Sequence, residues 1–274
     1  MNENLALEKE ILEQKRKDIL KEVEQKKKYQ EEIEQKLRVV TKEAKGSYSQ
    51  EKENTEKIYN LLKKEIENYE EAIKNPYFGR VDFDEKFGNQ EKIYIGKKGI
   101  TSTYDGEEIV VDWRAPIADL YYSGTGGEAY YRAPMGVIEG DLNLKRKFLY
   151  KYENIDRIFD EATNEIIINS EEGSGLVDEF LKINLEESRG KKLKEVVATI
   201  QKEQNDVIRK KMSDNIIVQG VAGSGKTTVA LHRIAYLVYN YINSIKQNQY
   251  LVIGPNPVFL KYIKSVLPEL DVDG

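Results

Sequence analysis

The first 75 residues contain no proline and a single glycine, Gly46, and they carry 17 Lys/Arg and 18 Asp/Glu. Apolar side chains fall at seven-residue steps, at Leu5, Leu12, Ile19, Ile33 and Val40, with Lys26 standing in the one vacant place. Val23, Leu37 and Ala44 form a second series. Heptad spacing is a stripe along one side of a helix, here long enough for about 60 Å at ~1.5 Å per residue. Gly46-Ser47-Tyr48-Ser49 interrupts it, and a second stripe follows at Tyr59, Leu62, Ile66, Tyr69 and Ile73. Neither helix buries its stripe alone, so residues 1–75 are expected to form an antiparallel helical hairpin, a coiled-coil arm on a body. Its tip falls near residues 43–53, where Glu43, Glu51 and Glu53 stand beside Lys42, Lys45 and Lys52. A solvated pair with a purely structural seam and an arm that probes a partner fit this pattern equally.

Composition narrows the class. Charged residues are 33% and hydrophobic residues 39% of 274, which is too apolar for a disordered chain and too charged for a membrane protein. No apolar run reaches membrane length and no secretory leader opens the sequence, so a cytoplasmic protein without a membrane partner, expected to be a monomer, is the default. Cys is absent and His232 is the one histidine, which excludes disulfides, thiol catalysis and Cys-ligated zinc. The net charge of −5 argues against duplex binding by the whole chain. It leaves nucleic acid as a candidate partner for a local basic groove.

After Pro76 the period changes. Ile93-Tyr94-Ile95, Glu108 to Trp113, Leu120-Tyr121-Tyr122 and Ala129-Tyr130-Tyr131 are short β-branched and aromatic runs separated by turn signals. Residues 76–168 therefore read as a small antiparallel β module, with Leu144 to Phe159 adding strands or a helix. Tyr121, Tyr122, Tyr130 and Tyr131 read as core and rim, with base stacking as the alternative. Asp112-Trp113-Arg114-Ala115-Pro116 reads as structure, with Arg114 paired to Asp112 or Asp119. Residues 169–190 are a connector.

Residues 191–274 change period again. Leu193 to Lys211 reads as helix. Ile216-Ile217-Val218 and Tyr250-Leu251-Val252-Ile253 read as strands buried on both faces, and Thr227 to Tyr241 and Val258 to Val266 as helices. Strand, glycine loop, helix, strand opens a parallel α/β sheet. The loop is Gly220-Val221-Ala222-Gly223-Ser224-Gly225-Lys226-Thr227, a full match to G-x-x-x-x-G-K-[ST]. Glycines let backbone N–H groups face phosphate oxygens, and the next helix aims its positive end at the same anion. Lys226 is the catalytic cation for the β- and γ-phosphates, and Thr227 supplies a hydroxyl to Mg²⁺. Sixteen residues before Gly220, the amide of Gln204 matches the donor–acceptor edge of adenine, although most glutamines are surface polar groups.

Thr199 to Gln204, Val218 to Thr228 and Ala230 to Leu237 together resemble the opening of a superfamily 1 helicase motor of the UvrD/Rep type. The resemblance implies the first part of a RecA-like domain 1A, with ATP and Mg²⁺ as cofactors. It implies Gln204 on adenine and Gly220 through Thr228 around the phosphates. Leu251 to Pro257 stands where that family contacts a nucleic-acid strand, in different wording. Pro76 to Phe83, Ile93 to Gly96 and Asp112 to Tyr122 resemble HelD, the RNA-polymerase-associated helicase-like ATPases. That resemblance implies an arm in the polymerase secondary channel and ATP-linked release of nucleic acid. A UvrD/Rep-type unwinding fragment and a non-enzymatic polymerase-binding module are the alternatives. No acidic strand end and no arginine finger follow the loop. The chain is therefore expected to be an inactive N-terminal part of a longer ATP hydrolase, α+β and multidomain.

Overall fold

The computed structural model describes residues 3–88, 90–163, 197–221, 223–241 and 250–272. The connector at 169–190, the opening of the helix expected from Leu193, and Ala222 lie outside them.

The arm is two helices, α1 (Glu3–Glu43) and α2 (Gln50–Ala72). Between them Lys45 and Gly46 adopt positive φ values of 45° and 83°, and the Ser49 hydroxyl accepts from the Lys52 N–H to start α2. Leu12, Ile19, Val23, Ile33 and Val40 are buried along the α1 seam, as the heptads predict. Lys26 holds its place in the seam because its stem packs while its amine meets Glu65 at 3.0 Å and lies over the Tyr69 ring. That pair and Lys36–Glu51 at 3.3 Å set the antiparallel register.

Seven strands follow: β1 (Gly79–Glu85), β2 (Gln90–Gly96), β3 (Ile100–Thr101), β4 (Glu108–Asp112), β5 (Gly127–Ala133), β6 (Gly136–Lys151) and β7 (Asn154–Thr163). They run in the order β3-β4-β2-β1-β6-β5, with β7 also paired to β6. The sheet is mixed rather than antiparallel, since β4 lies parallel to β2. The β3–β4 hairpin returns the chain so that its second strand runs in the direction of β2. Leu120-Tyr121-Tyr122 is not a strand but the short helix α3 (Asp119–Ser123), entered through a 3₁₀ turn at Pro116–Ala118. All three side chains are buried.

Alternation explains the sheet's place in the core. Tyr94 and Val110 point to one face and join Tyr77, Phe148 and Ile155 against Leu12, Ile19, Val23, Ile66 and Tyr69 of the arm. Ile93, Ile95 and Val111 point to the other face and join Phe83, Trp113 and Tyr121 in a core that also holds Val229, Leu231 and Ala235. The sheet is thus covered on both sides, by the base of the arm and by the C-terminal helices.

Those helices are α4 (Lys202–Ile208), α5 (Lys226–Asn240) and α6 (Pro257–Val266). The helix expected up to Lys211 therefore stops at Ile208. The expected buried strands do not form. Residues 215–221 and 250–253 are without strand pairing, and Ile217, Leu251 and Ile253 are 97%, 84% and 86% exposed. A strand exists only through a ladder partner, and among the described residues neither run has one.

Candidate nucleotide-binding site

The loop leads into the first turn of α5 at Lys226. Gly223 and Gly225 take φ values of 81° and 80°, the left-handed conformation that side chains resist. The Ser224 N–H donates to Val221 O at 3.3 Å within this turn, and the positive end of the α5 dipole lies beside it. The Lys226 ammonium donates to the carbonyls of Gly220 at 2.8 Å and Val221 at 2.7 Å, folded back over its own loop. Thr227 and Thr228 are half-buried beside it, and Ser224 is exposed. A Cβ on Gly220 would meet the Ser224 hydroxyl at 2.6 Å, so the loop closes tightly at its mouth.

Gln204 comes to this loop from α4. A Cβ built on Gly225 would lie 3.5 Å from Gln204 Nε2. The other end of the amide is occupied, as Gln204 Oε1 accepts from the Gln201 N–H at 3.1 Å in a capping box. The donor end of the amide therefore faces the phosphate loop. These residues fit a nucleotide: a glycine turn at a helix start, a cation on that turn, and an oriented amide at its edge.

Three residues that sequence reasoning missed hold α4, which carries Gln204, in its place. Arg209, largely buried, donates from Nε to Asn205 Oδ1 at 2.8 Å and from its terminal nitrogens to the Ala115 and Trp113 carbonyls at 3.0 and 2.6 Å. Asn205 Nδ2 donates to Asp119 and Ser123 at 2.6 and 2.9 Å. Arg233 of α5 caps the end of α4 through the carbonyls of Val207, Ile208, Lys210 and Lys211, at 2.8 to 3.1 Å. The i, i+4 spacing of Asn205 and Arg209 was a visible signal, but their partners are remote in sequence.

The 112–116 run is the turn that receives them. Arg114 forms a two-pronged pair with Asp112 at 2.8 and 2.7 Å, choosing Asp112 over Asp119. It also reaches Leu270 O and Asp271. Asn240 at the end of α5 donates to Arg114 O at 2.9 Å. The Trp113 ring meets His232 edge-on at 5.4 Å. His232 Nδ1 lies 2.7 Å from Thr228 O, and burial pulls the imidazole below its usual value of 6.5 against that bond. Tyr121 and Tyr122 are buried and donate to Ala198 O and Val197 O, so they are core; Tyr131 is buried and Tyr130 exposed.

Leu251 to Pro257 precedes and enters α6, where Asn256 caps the helix through the Phe259 N–H. At the arm tip Glu51 and Glu53 pair with Lys36 and Lys57. Among the described residues no group of three or more His, Asp or Glu could hold a metal ion, and no helix is long and apolar enough to cross a membrane.

The described residues form a helical arm seated on a mixed sheet, with α5 packed behind it. The family model for the N-terminal domain of DNA helicase IV HelD matches residues 5–174, and the chain belongs to that family. The match spans the arm and the sheet. No curated protein matches the chain.

Proposed function

We propose that the chain carries the nucleotide site of a HelD-type, ATP-dependent helicase-like protein that binds RNA polymerase through its arm and helps release nucleic acid. The observation that carries the nucleotide part is the juxtaposition of Gln204 Nε2 with Gly225 at the start of α5. Two motifs 16 residues apart, each with its own chemistry, meet at one helix end.

Bound MgATP would supply the phosphoanhydride bond and the metal, with Thr227 as the hydroxyl ligand. The chain's own residues bind and orient. Lys226 exchanges its two loop carbonyls for phosphate oxygens, an exchange that strengthens its bonds because the new acceptors are charged. The loop N–H groups and the end of α5 hold the anion. Gln204 Nε2 would donate to a ring nitrogen, and Oε1, with the lone pair left by its Gln201 bond, would accept from an amino group, a pattern that adenine meets and guanine does not. Calorimetry of MgATP binding tests this: affinity of about 0.1–1 mM, roughly 4–5.5 kcal/mol, is expected. Lys226→Ala should abolish it, and unchanged affinity in that variant would refute the site.

The polymerase part rests on the arm. The inner half of α1 is bound to the sheet, through Glu8 to Arg80 at 2.7 Å and Lys15 to Ile109 O, and to the β3–β4 loop through Glu22, which accepts from Thr103 at 2.7 Å. The outer half is held by α2 alone, with Tyr29, Val39, Ile58 and Leu61 exposed. Deleting residues 1–75 would strip one face of the sheet, so the informative variant shortens the arm. Residues 31–60 are replaced by a short glycine turn, which joins positions that face each other near the Lys26–Glu65 pair. The shortened protein should fold and fail to retain core polymerase in pull-down. Full retention would remove the arm from the mechanism.

A further inference from the structure

The amide of Gln204 reads a base only if α4 stands at a fixed height above the phosphate loop. A seven-residue helix has too little internal hydrogen bonding to hold such a position alone. Its restraints come from outside. On one side Arg209 binds the Trp113 and Ala115 carbonyls, and its guanidinium lies over the rings of Tyr122 and Tyr236 at 5.7 and 5.1 Å. Asn205 adds Asp119 and Ser123. The same turn receives the far end of α5 through Asn240 and its middle through the Trp113–His232 contact. Both helices that frame the nucleotide site are therefore referenced to one five-residue turn at the end of β4.

We infer that Arg209 is a positioning residue for base selection: by tying α4 to the 112–116 turn it sets where Gln204 meets the base, while the phosphate loop works without it. The inference rests on the reading of Gln204 as the adenine contact. The polar partners of Arg209 are Asn205, Ala115, Trp113 and Asp119, none of them in the phosphate loop. Phosphate binding rests instead on Lys226 and the N–H groups of 223–227. The two functions are thus separable by ligand. Tripolyphosphate engages the loop and has no base; ATP and GTP engage the loop alike and differ at the amide.

The experiment measures the Kd of Mg-tripolyphosphate, MgATP and MgGTP for wild type, Gln204→Ala, Arg209→Ala and Arg209→Lys, with Lys226→Ala as the loop control. Wild type should prefer ATP by about tenfold, the value of one mismatched hydrogen bond. Arg209→Ala should bring that ratio to within twofold of the Gln204→Ala value and leave tripolyphosphate affinity unchanged. Lys keeps the charge over the two tyrosines but reaches one carbonyl instead of two, so it should give an intermediate ratio. Should the alanine variant precipitate, the lysine variant decides: a reduced ratio supports the inference and an unchanged one overturns it. Loss of tripolyphosphate and nucleotide binding together would make Arg209 a general support of the fold and overturn it also. A wild type with no preference for ATP would refute the Gln204 reading. A wild-type preference that survives Arg209→Ala would refute only this inference.

Discussion

Glu8, near the start of α1, lies 2.7 Å from Arg80 on β1 and 2.7 Å from Arg146 on β6, and is 0% exposed. Arg80 and Arg146 are cross-strand partners, two like charges in one register. Asp82 and Asp160 each take one of them, and Glu8 bridges both while accepting from Tyr94 at 3.1 Å. The sheet thus carries a cationic pair that only the arm completes. Replacing Glu8 with Ala leaves one buried N–H of each guanidinium and the Tyr94 hydroxyl without their acceptor, at a cost of about 3–5 kcal/mol. Urea denaturation of Glu8→Ala should show this, and a change below ~1 kcal/mol would mean the arm base is dispensable.

His232 makes stability fall in mild acid. Burial holds its folded-state pKa below the usual 6.5, so the unfolded chain takes up a proton that the folded one refuses. The neutral-ring stability is present above pH ~6.5 and is lost as pH drops below it. His232→Phe, which keeps a ring edge against Trp113, should flatten the melting-temperature profile between pH 6.5 and 5. An identical slope in the variant would show that another group is responsible.

Lys15 acts in the alkaline range. Its ammonium donates to Ile109 O and lies over the Tyr94 ring at 4.5 Å. Burial pulls its pKa down to about 8, against the opposing pull of Asp18 and Glu8. The unfolded chain keeps that proton to about 10.5, so the folded state gains stability as pH rises above ~8. Wild type should melt higher at pH 9.5 than at 7.5, by more than Lys15→Met does. Equal gains in both would place the titration elsewhere.

Gly225→Ala tests the loop geometry. The φ of 80° disfavours any Cβ by about 1–2 kcal/mol. The new methyl would stand at ordinary contact distance, 3.5 Å, from Gln204 Nε2. The variant should therefore lose tripolyphosphate affinity through a reshaped loop rather than through a clash. Retained affinity would show that the left-handed turn is not needed.

Much of the molecule was legible before any coordinates. Heptads and a Gly/Ser break specify two helices and their turn because helix periodicity is a local property of backbone geometry. The glycine turn and the helix after it were legible for the same reason: Gly223 and Gly225 stand where φ is positive, and Lys226 opens the helix. The apolar runs at 216–218 and 250–253 misled because apolarity alone does not supply a pairing partner, and pairing is a property of two segments. Leu120-Tyr121-Tyr122 misled because all-round burial suits a short helix as well as a strand.

The sequence by itself determined the two helices of the arm, the turn between them and the helix that follows the glycine loop. Only the tertiary structure decided that the arm is half a layer of the core, through Glu8 between Arg80 and Arg146. Only it decided that Asp112 to Pro116 is the turn on which α4 and α5 are set, through Arg209 and Asn240. The physical reason is range. Helix stripes and glycine turns follow from neighbours a few residues apart, whereas a buried charge is stable only where partners 72, 94 or 138 positions away converge on it.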